Sequence, residues 1–444
     1  MSRVSSEEQV LDALALSAET GRGVIARGAG RSYGDAAQNE GGYVLDMTGY
    51  DRVLEIDRER LLVRAQAGAT VAQLMARLAA HGLTLPVVPG TRHVTLAGAI
   101  ASDIHGKNHH RDGAFARHVS AIKLCVPGGE TLELTPASDG DLFYATLGGM
   151  GLTGVVLEAT LRVEELASPW VAADLDHTAG LEQTLELLSG PERHRYSVAW
   201  LDLLARGSRM GRAIVSRADP LPAGARAQSP RGRRGTRSAY PGALSKPAAV
   251  DVPQAFPSAL LRPASVRAFN TLRWGAAFRR ERGRPLALAP YFFPLDVLGE
   301  WNRLYGPGGF VQYQFVIPAG REGSLERCFE LIRQRRLPVY LAVFKRFGEA
   351  FGGPLSFPIE GWTLAIDIPA DAPGLTPALE QLDEVVAGCG GRVYLTKDIR
   401  LRADTVRTMY PRLDRFQALC ERVDPQGLLR SDLARRLELA GSLQ

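Results

Sequence analysis

Apolar and polar residues alternate in short runs from about residue 22 to 165, a period of two that predicts β-strands. Runs at 24–26, 42–46, 53–56 and 61–65 are rich in Val, Ile and Leu, which suit a pleated, half-buried surface. Between them one helix is well marked. Thr70 and Gln73 have the spacing of a capping box, Val71, Leu74, Leu78 and Ala79 fall on one face, and Gly82 stands where a helix-ending glycine belongs. Strands and helices mixed in this way predict an α+β domain.

Further along, aromatic-rich runs at 196–201 and 310–317 predict strands, and 324–335 and 377–387 predict helices. The expected division is a first domain over 1–165, a second over 166–410, and a segment over 411–444 that returns to the first. Residues from about 217 to 250 are rich in Pro, Gly, Ala and Arg, include the basic run Arg226 to Arg237, and lack periodicity, which predicts a mobile loop or lid.

With 444 residues, 45% hydrophobic and 23% charged, the chain can bury a large core and is long enough for two or more domains. The net charge of +5, from 53 Lys and Arg against 48 Asp and Glu, is too small to indicate nucleic acid without an aromatic-studded basic face. Anionic small molecules or an anionic lipid surface fit it as well. Cys125, Cys328, Cys389 and Cys420 lie far apart and suggest neither a disulfide framework nor a zinc knuckle. The N-terminus has no apolar core of a signal peptide, and no apolar run reaches the roughly 18 residues of a membrane span. The expected location is the cytoplasm, or a membrane approached only peripherally.

Candidate chemistry sits in three glycine-bearing segments: Ala26 to Asp35, Pro89 to Ile100, and Ser102 to His110. Loops without Cβ atoms can turn their N–H groups onto an anion, so three of them suggest a large flat cofactor with phosphates, a flavin. A fourth stretch, 142–157, has four glycines between apolar runs and predicts close backbone approach. His105 and His109 have a spacing that holds zinc on a helix, but Gly106 and Asn108 disfavour a helix there. No metal is expected; His109 and His110 would pack, and His105 would face the cofactor. Lys345 and Lys397 each follow a β-like apolar run, where a long cationic side chain needs a reason.

Arg31-Ser32-Tyr33-Gly34-Asp35, the Asp103 to His110 run, Phe143 to Gly154, Gly299-Glu300-Trp301-Asn302-Arg303, Gln312-Tyr313-Gln314, Val343-Phe344-Lys345, Pro354 to Pro358, Lys397-Asp398 and Asp432 to Glu438 follow in order along nearly the whole chain. In these motifs the chain resembles the decaprenylphosphoryl-β-D-ribose 2-oxidase family, flavin subunits of an epimerase that makes the arabinose donor for cell-wall arabinan. That family lies in the vanillyl-alcohol-oxidase superfamily. The resemblance implies a two-domain fold, a PCMH-type FAD-binding domain plus a substrate domain built on an antiparallel sheet with helices.

It also implies an FAD cradle comprising Ala26, Arg27, Gly28, Ala29, Gly30, Arg31, Ser32, Tyr33, Gly34, Asp35, Ala36, Gly90, Thr95, Ser102, Asp103, Ile104, His105, Val156 and Tyr394. Many superfamily members bond the flavin covalently to a histidine at the position Arg31 fills here. Arginine can pair with phosphate but cannot make that bond, so noncovalent FAD is expected. By the same resemblance Lys397, His105 and Tyr33 carry the catalytic roles, and Lys107, Trp200, Gln312, Gln314, Lys345 and Ala365 join Lys397 in binding substrate. Lys397 would stabilise the developing alkoxide or, with a lowered pKa, act as base.

One departure stands out: the family's Trp-Asn-x-Cys run reads Trp362-Thr363-Leu364-Ala365 here, so Thr363 replaces the amide and Ala365 the reactive thiol. Ala97 replaces one of a common glycine pair. The expected partners are a prenylphosphoryl sugar, a separate NADH-dependent short-chain reductase that completes the epimerisation, and a quinone or oxygen as electron acceptor. Peripheral membrane contact fits a lipid-linked substrate, and nucleic acid is not expected. The alternative within the superfamily is a soluble alditol or aldonolactone oxidase.

Overall fold

A computed structural model describes residues 1–190, 194–222, 250–253, 261–276 and 281–440. The alternating runs near the N-terminus form two sheets. Strands Ser2–Arg3, Tyr43–Asp46 and Val24–Arg27 make a parallel sheet in that order. Parallel neighbours need a crossover, and here residues 28–42 supply it as a glycine-bearing loop instead of a helix. The loop therefore leaves the end of Val24–Arg27 and is held at both ends.

The second sheet is antiparallel, ordered Val53–Asp57, Leu62–Gln66, Val155–Arg162, Val119–Cys125 and Thr131–Leu134. Helix Val71–Ala80 packs on it through Val71, Leu74, Met75 and Leu78, all fully buried. Its capping box forms: Gln73 N donates to Thr70 Oγ1 at 3.2 Å, and Thr70 N donates to Gln73 Oε1 at 2.7 Å. Gly82, at φ +72°, turns the chain out of the helix. Such a cap is worth about 1 kcal/mol.

The second region is built on an eight-stranded antiparallel sheet. Its order is Glu281–Ala287, Trp170–Thr178, Arg212–Pro220, Tyr196–Asp202, Leu341–Phe347, Gly361–Pro369, Phe310–Pro318 and Arg392–Val393. Strand alternation gives this sheet two different faces. Val311, Tyr313, Phe315 and Ile317 pack against helices Glu322–Gln334 and Leu375–Gly388 through Leu325, Cys328, Ile332, Leu379 and Leu382. The intervening Gln312, Gln314 and Val316 face the other way. The fold is α+β, with helices on one face of the large sheet and polar side chains on the other.

The end of the chain folds back onto its beginning. Val24 N donates to Leu428 O at 2.7 Å and Arg430 N to Val24 O at 3.0 Å. Arg436 donates two hydrogen bonds to Asp35, at 3.0 and 2.9 Å, and one to Asp398 at 2.8 Å. Of the stretch read as an aperiodic loop, residues 217–220 complete strand Arg212–Pro220. That correction has a simple cause, since Ala218 pairs with Tyr196 across the sheet and tertiary burial overrides local composition. Residues 223–249, with the arginine run, lie outside the described residues. The four cysteines are free, and among the described residues no helix is long and apolar enough to cross a membrane.

Candidate active site

Register brings the polar face together. Gln312 lies opposite Asp367, Gln314 opposite Ala365, and Val316 opposite Thr363. On the next strand Lys345 lies opposite Thr363 and Val343 opposite Ala365. Val343 in turn pairs with Trp200, whose ring carries the Arg273 guanidinium at 4.9 Å. A period of two thus puts Gln312, Gln314, Thr363, Ala365, Asp367, Lys345 and Trp200 on one surface. Ala365 and Trp200 are only half-buried, which marks the open part of that surface.

The first region supplies the facing wall. Asp103, at φ +41°, turns the chain, and its carboxylate accepts from Ala116 N at 2.9 Å and from Ser356 Oγ. Burial pushes that carboxyl up to about 6 despite both hydrogen bonds. The turn presents His105 to the sheet. Gln314 Nε2 lies 3.0 Å from its Nε2, and Lys345 Nζ lies 2.9 Å from its Nδ1. Phe347, Phe357 and Tyr394 surround the ring at centroid distances of 4.7, 6.0 and 5.7 Å. Desolvation holds His105 well below the usual histidine range, so it is neutral.

At the other end of the surface Lys397 closes the short turn Leu395–Lys397, with its Nζ 5.5 Å from the Tyr33 ring centroid. Tyr33 N donates to Thr396 O at 3.1 Å, which ties the glycine loop to this turn. Burial lowers Lys397 to about 8, while Asp367 opposes the fall. Asp367 is raised by burial to about 6 and accepts from Gln312 Nε2 at 2.6 Å. Tyr33 packs edge-on to Phe310 at 5.6 Å, and desolvation raises its phenol pKa. At neutral pH this end holds an ammonium beside a carboxylate.

The glycine loop fits a phosphate-bearing cofactor. A Cβ on Gly28 would stand 2.1 Å from Thr95 Oγ1, so the first two glycine segments touch there only because that atom is missing. Gly30 has φ +63°, and among the described residues the N–H groups of 29–32 donate to no other protein atom. Free backbone donors in a turn of this kind form an anion-binding concavity. Asp35 would repel a phosphate, but Arg436 holds it in a paired hydrogen bond. These residues fit FAD.

Other expected residues have more specific duties. Tyr394 OH donates to Ser102 O at 2.7 Å and its N–H to Gln314 O at 2.9 Å, so it braces the loop that carries His105. Thr95 caps the short helix Leu96–Ala101. Lys107 donates to Tyr291 O and sits 4.1 Å from that ring's centroid, and burial lowers it to about 7. Gly90 has open space where a Cβ would be, whereas Ala36, Ile104 and Val156 are buried. His109 packs on Phe347 and accepts from Gly348 N at 3.1 Å. Lys345 lies within strand Leu341–Phe347 and does not follow it.

Sequence reasoning missed Asp367, the partner that keeps Lys397 charged, and the hydrogen-bonding role of Thr363. It also missed an available signal. Only five of the 53 Lys and Arg residues are lysine, and three of those five, Lys107, Lys345 and Lys397, are half-buried here with desolvation lowering the pKa of each. Arginine serves where a permanent charge suffices; lysine can lose its proton.

Residues 2–135 match the family described as FAD binding domain, and residues 325–437 match D-arabinono-1,4-lactone oxidase. Decaprenylphosphoryl-β-D-ribose oxidase of Mycolicibacterium smegmatis is 41% identical over 98% of this chain and 94% of its own. L-gulono-1,4-lactone dehydrogenase of Mycobacterium tuberculosis is 27% identical over 98% of this chain and 95% of its own. L-gulonolactone oxidase of Bos taurus is 33% identical over 36% of each chain.

Proposed function

The chain belongs to the decaprenylphosphoryl-β-D-ribose oxidase family of FAD-dependent oxidoreductases, and from that premise we propose that it oxidises the 2-hydroxyl of a prenylphosphoryl-β-D-ribofuranose to the ketone. The observation that carries this reading is the polar face of the large sheet, where Gln312 Oε1 and Gln314 Oε1 are buried acceptors without a partner among the described residues. Sugar hydroxyls are the donors such acceptors suit.

Bound FAD supplies the hydride acceptor. The Lys397 ammonium donates to the reacting oxygen as negative charge develops on it, and the low dielectric of the pocket strengthens that contact. The Tyr33 ring lies beside that ammonium, with Nζ 5.5 Å from the ring centroid. His105, braced by Gln314 and Lys345, fixes the opposite wall. Trp200, Ala365 and Lys107 line the approach for the remainder of the substrate. Arg31 in place of a flavin-bonding histidine supports noncovalent FAD.

A 2-keto product needs a second hydride from elsewhere to become the arabinose epimer for cell-wall arabinan, so an NADH-dependent reductase follows this step, and a quinone or oxygen reoxidises the flavin. The lipid tail places the substrate in a bilayer. Exposed Phe269 and Leu272, on helix Pro263–Ala276 with Arg273 against Trp200, support peripheral membrane contact. A second reading, an aldonolactone oxidase, rests on the match over residues 325–437.

One experiment separates the two. The anaerobic visible spectrum is recorded before and after a short-chain prenylphosphoryl-β-D-ribofuranose, then an aldonolactone, followed by acid precipitation. Bleaching by the first alone, with yellow colour released to the supernatant, is expected. Bleaching by the lactone alone overturns the substrate, and colour retained in the pellet overturns noncovalent FAD.

A further inference from the structure

The hydrogen bonds between Phe315 and Lys345 run in one direction. Thr363 has a single hydroxyl hydrogen, and it donates to Phe315 O at 2.9 Å. On its other side the Thr363 oxygen can then only accept, and Gln314 Nε2 lies there at 2.9 Å. The same amide nitrogen has a second hydrogen, directed at His105 Nε2 at 3.0 Å. A neutral imidazole that accepts at Nε2 carries its hydrogen on Nδ1. Nδ1 faces Lys345 Nζ at 2.9 Å, so the lysine nitrogen must offer a lone pair. An ammonium has none.

The surroundings agree. The titratable and charged groups facing Lys345 are His105, Lys107 and His109 from the first region and Lys397 from the turn across the pocket. Its other contacts are Gly106 O, to which it donates at 3.3 Å, and the Phe347 ring centroid at 6.0 Å. Among the described residues no carboxylate is paired with it, and burial, with Lys397 and Lys107 as neighbouring cations, holds its pKa well below the ordinary lysine value.

We propose that Thr363 is a positioning residue that keeps Lys345 an unprotonated amine at neutral pH, by fixing the direction of each hydrogen bond through Gln314 and His105. The consequence for chemistry rests on the oxidase reading above. As the carbinol C–H bond gives its two electrons and hydrogen to the flavin as hydride, the O–H proton needs an acceptor. Rotation about Cε–Nζ turns the Lys345 lone pair from His105 to that hydroxyl, the amine becomes an ammonium, and the C=O bond forms. Lys397 remains the donor and Lys345 becomes the acceptor, which follows the general pattern in which environments push two titratable groups apart.

Five lysines make the test simple, because [ε-13C]lysine gives the full-length, FAD-loaded enzyme only five side-chain resonances to follow with pH. Lys345→Met assigns the signal. In the wild type the Lys345 carbon is expected at its unprotonated position at pH 7. Thr363→Val keeps the shape but lets the Gln314 amide turn over, so that His105 Nδ1 accepts from an ammonium; half-protonation should move up by about one pH unit or more. Thr363→Ser should restore it. A wild-type Lys345 protonated at pH 7 overturns the amine, and a Thr363→Val titration identical to wild type overturns the role of Thr363. The wild-type arm decides even where Thr363→Val does not fold. No substrate is needed, so failure of prenylphosphoryl ribose to bleach the flavin would sink the proposed function and leave this result standing.

Discussion

Lys345 and Lys397 reach one pocket from different elements, the first from the middle of strand Leu341–Phe347 and the second from the turn Leu395–Lys397. Both are half-buried, and desolvation of the charged end disfavours an ammonium at each. What separates them is the next neighbour. Asp367 stands behind Lys397 and opposes its loss of a proton, whereas Lys345 meets His105, Gly106 O and further cations. The pocket therefore offers a proton donor at one end and a site for a proton at the other. A buried lysine is not in itself a positive charge, and its partner decides.

Removing the donor end should have the largest effect. Lys397→Met keeps the length of the side chain and loses the charge; anaerobic stopped-flow absorbance should show substrate-driven flavin reduction about 100- to 1,000-fold slower, with flavin content unchanged. Equal rates would mean that the ammonium does not touch the reacting oxygen.

The smallest effect concerns the open floor between the two lysines. Ala365 lies opposite Gln314 and Val343, where relatives implied by the sequence resemblance carry a reactive cysteine. Ala365→Cys should create a nitroaromatic adduct visible by intact mass, while the native chain gives none. An adduct on the native chain would locate the reaction at another thiol.

Much of this was readable from the sequence. The period-two runs, the Thr70–Gln73 box and the aromatic strands are local signals, and they fold as local signals should. The glycine loop was legible for the same reason, since Gly28 and Gly30 are required by contacts or dihedrals within the cradle. Asp367 and Thr363 were not, because their importance depends on the register of strands Phe310–Pro318, Leu341–Phe347 and Gly361–Pro369, a nonlocal pairing. Shifting that register by one residue would turn both to the helix-covered face. Lys345 was read as following an apolar run because its charge ends that run; in the fold it lies within the strand, on the polar face that alternation assigns to it.

The contrast between the two lysines is tested most directly by one pair of [ε-13C]lysine spectra at pH 7, from the wild type and from Asp367→Asn. The amide introduced by that substitution can still accept from Gln312, so the variant removes charge with little change of shape. The wild type should show Lys397 protonated and Lys345 unprotonated, and Asp367→Asn should move Lys397 toward the unprotonated position, since the group that raises its pKa is gone. Both lysines protonated in the wild type, or a Lys397 signal indifferent to Asp367, would contradict the account.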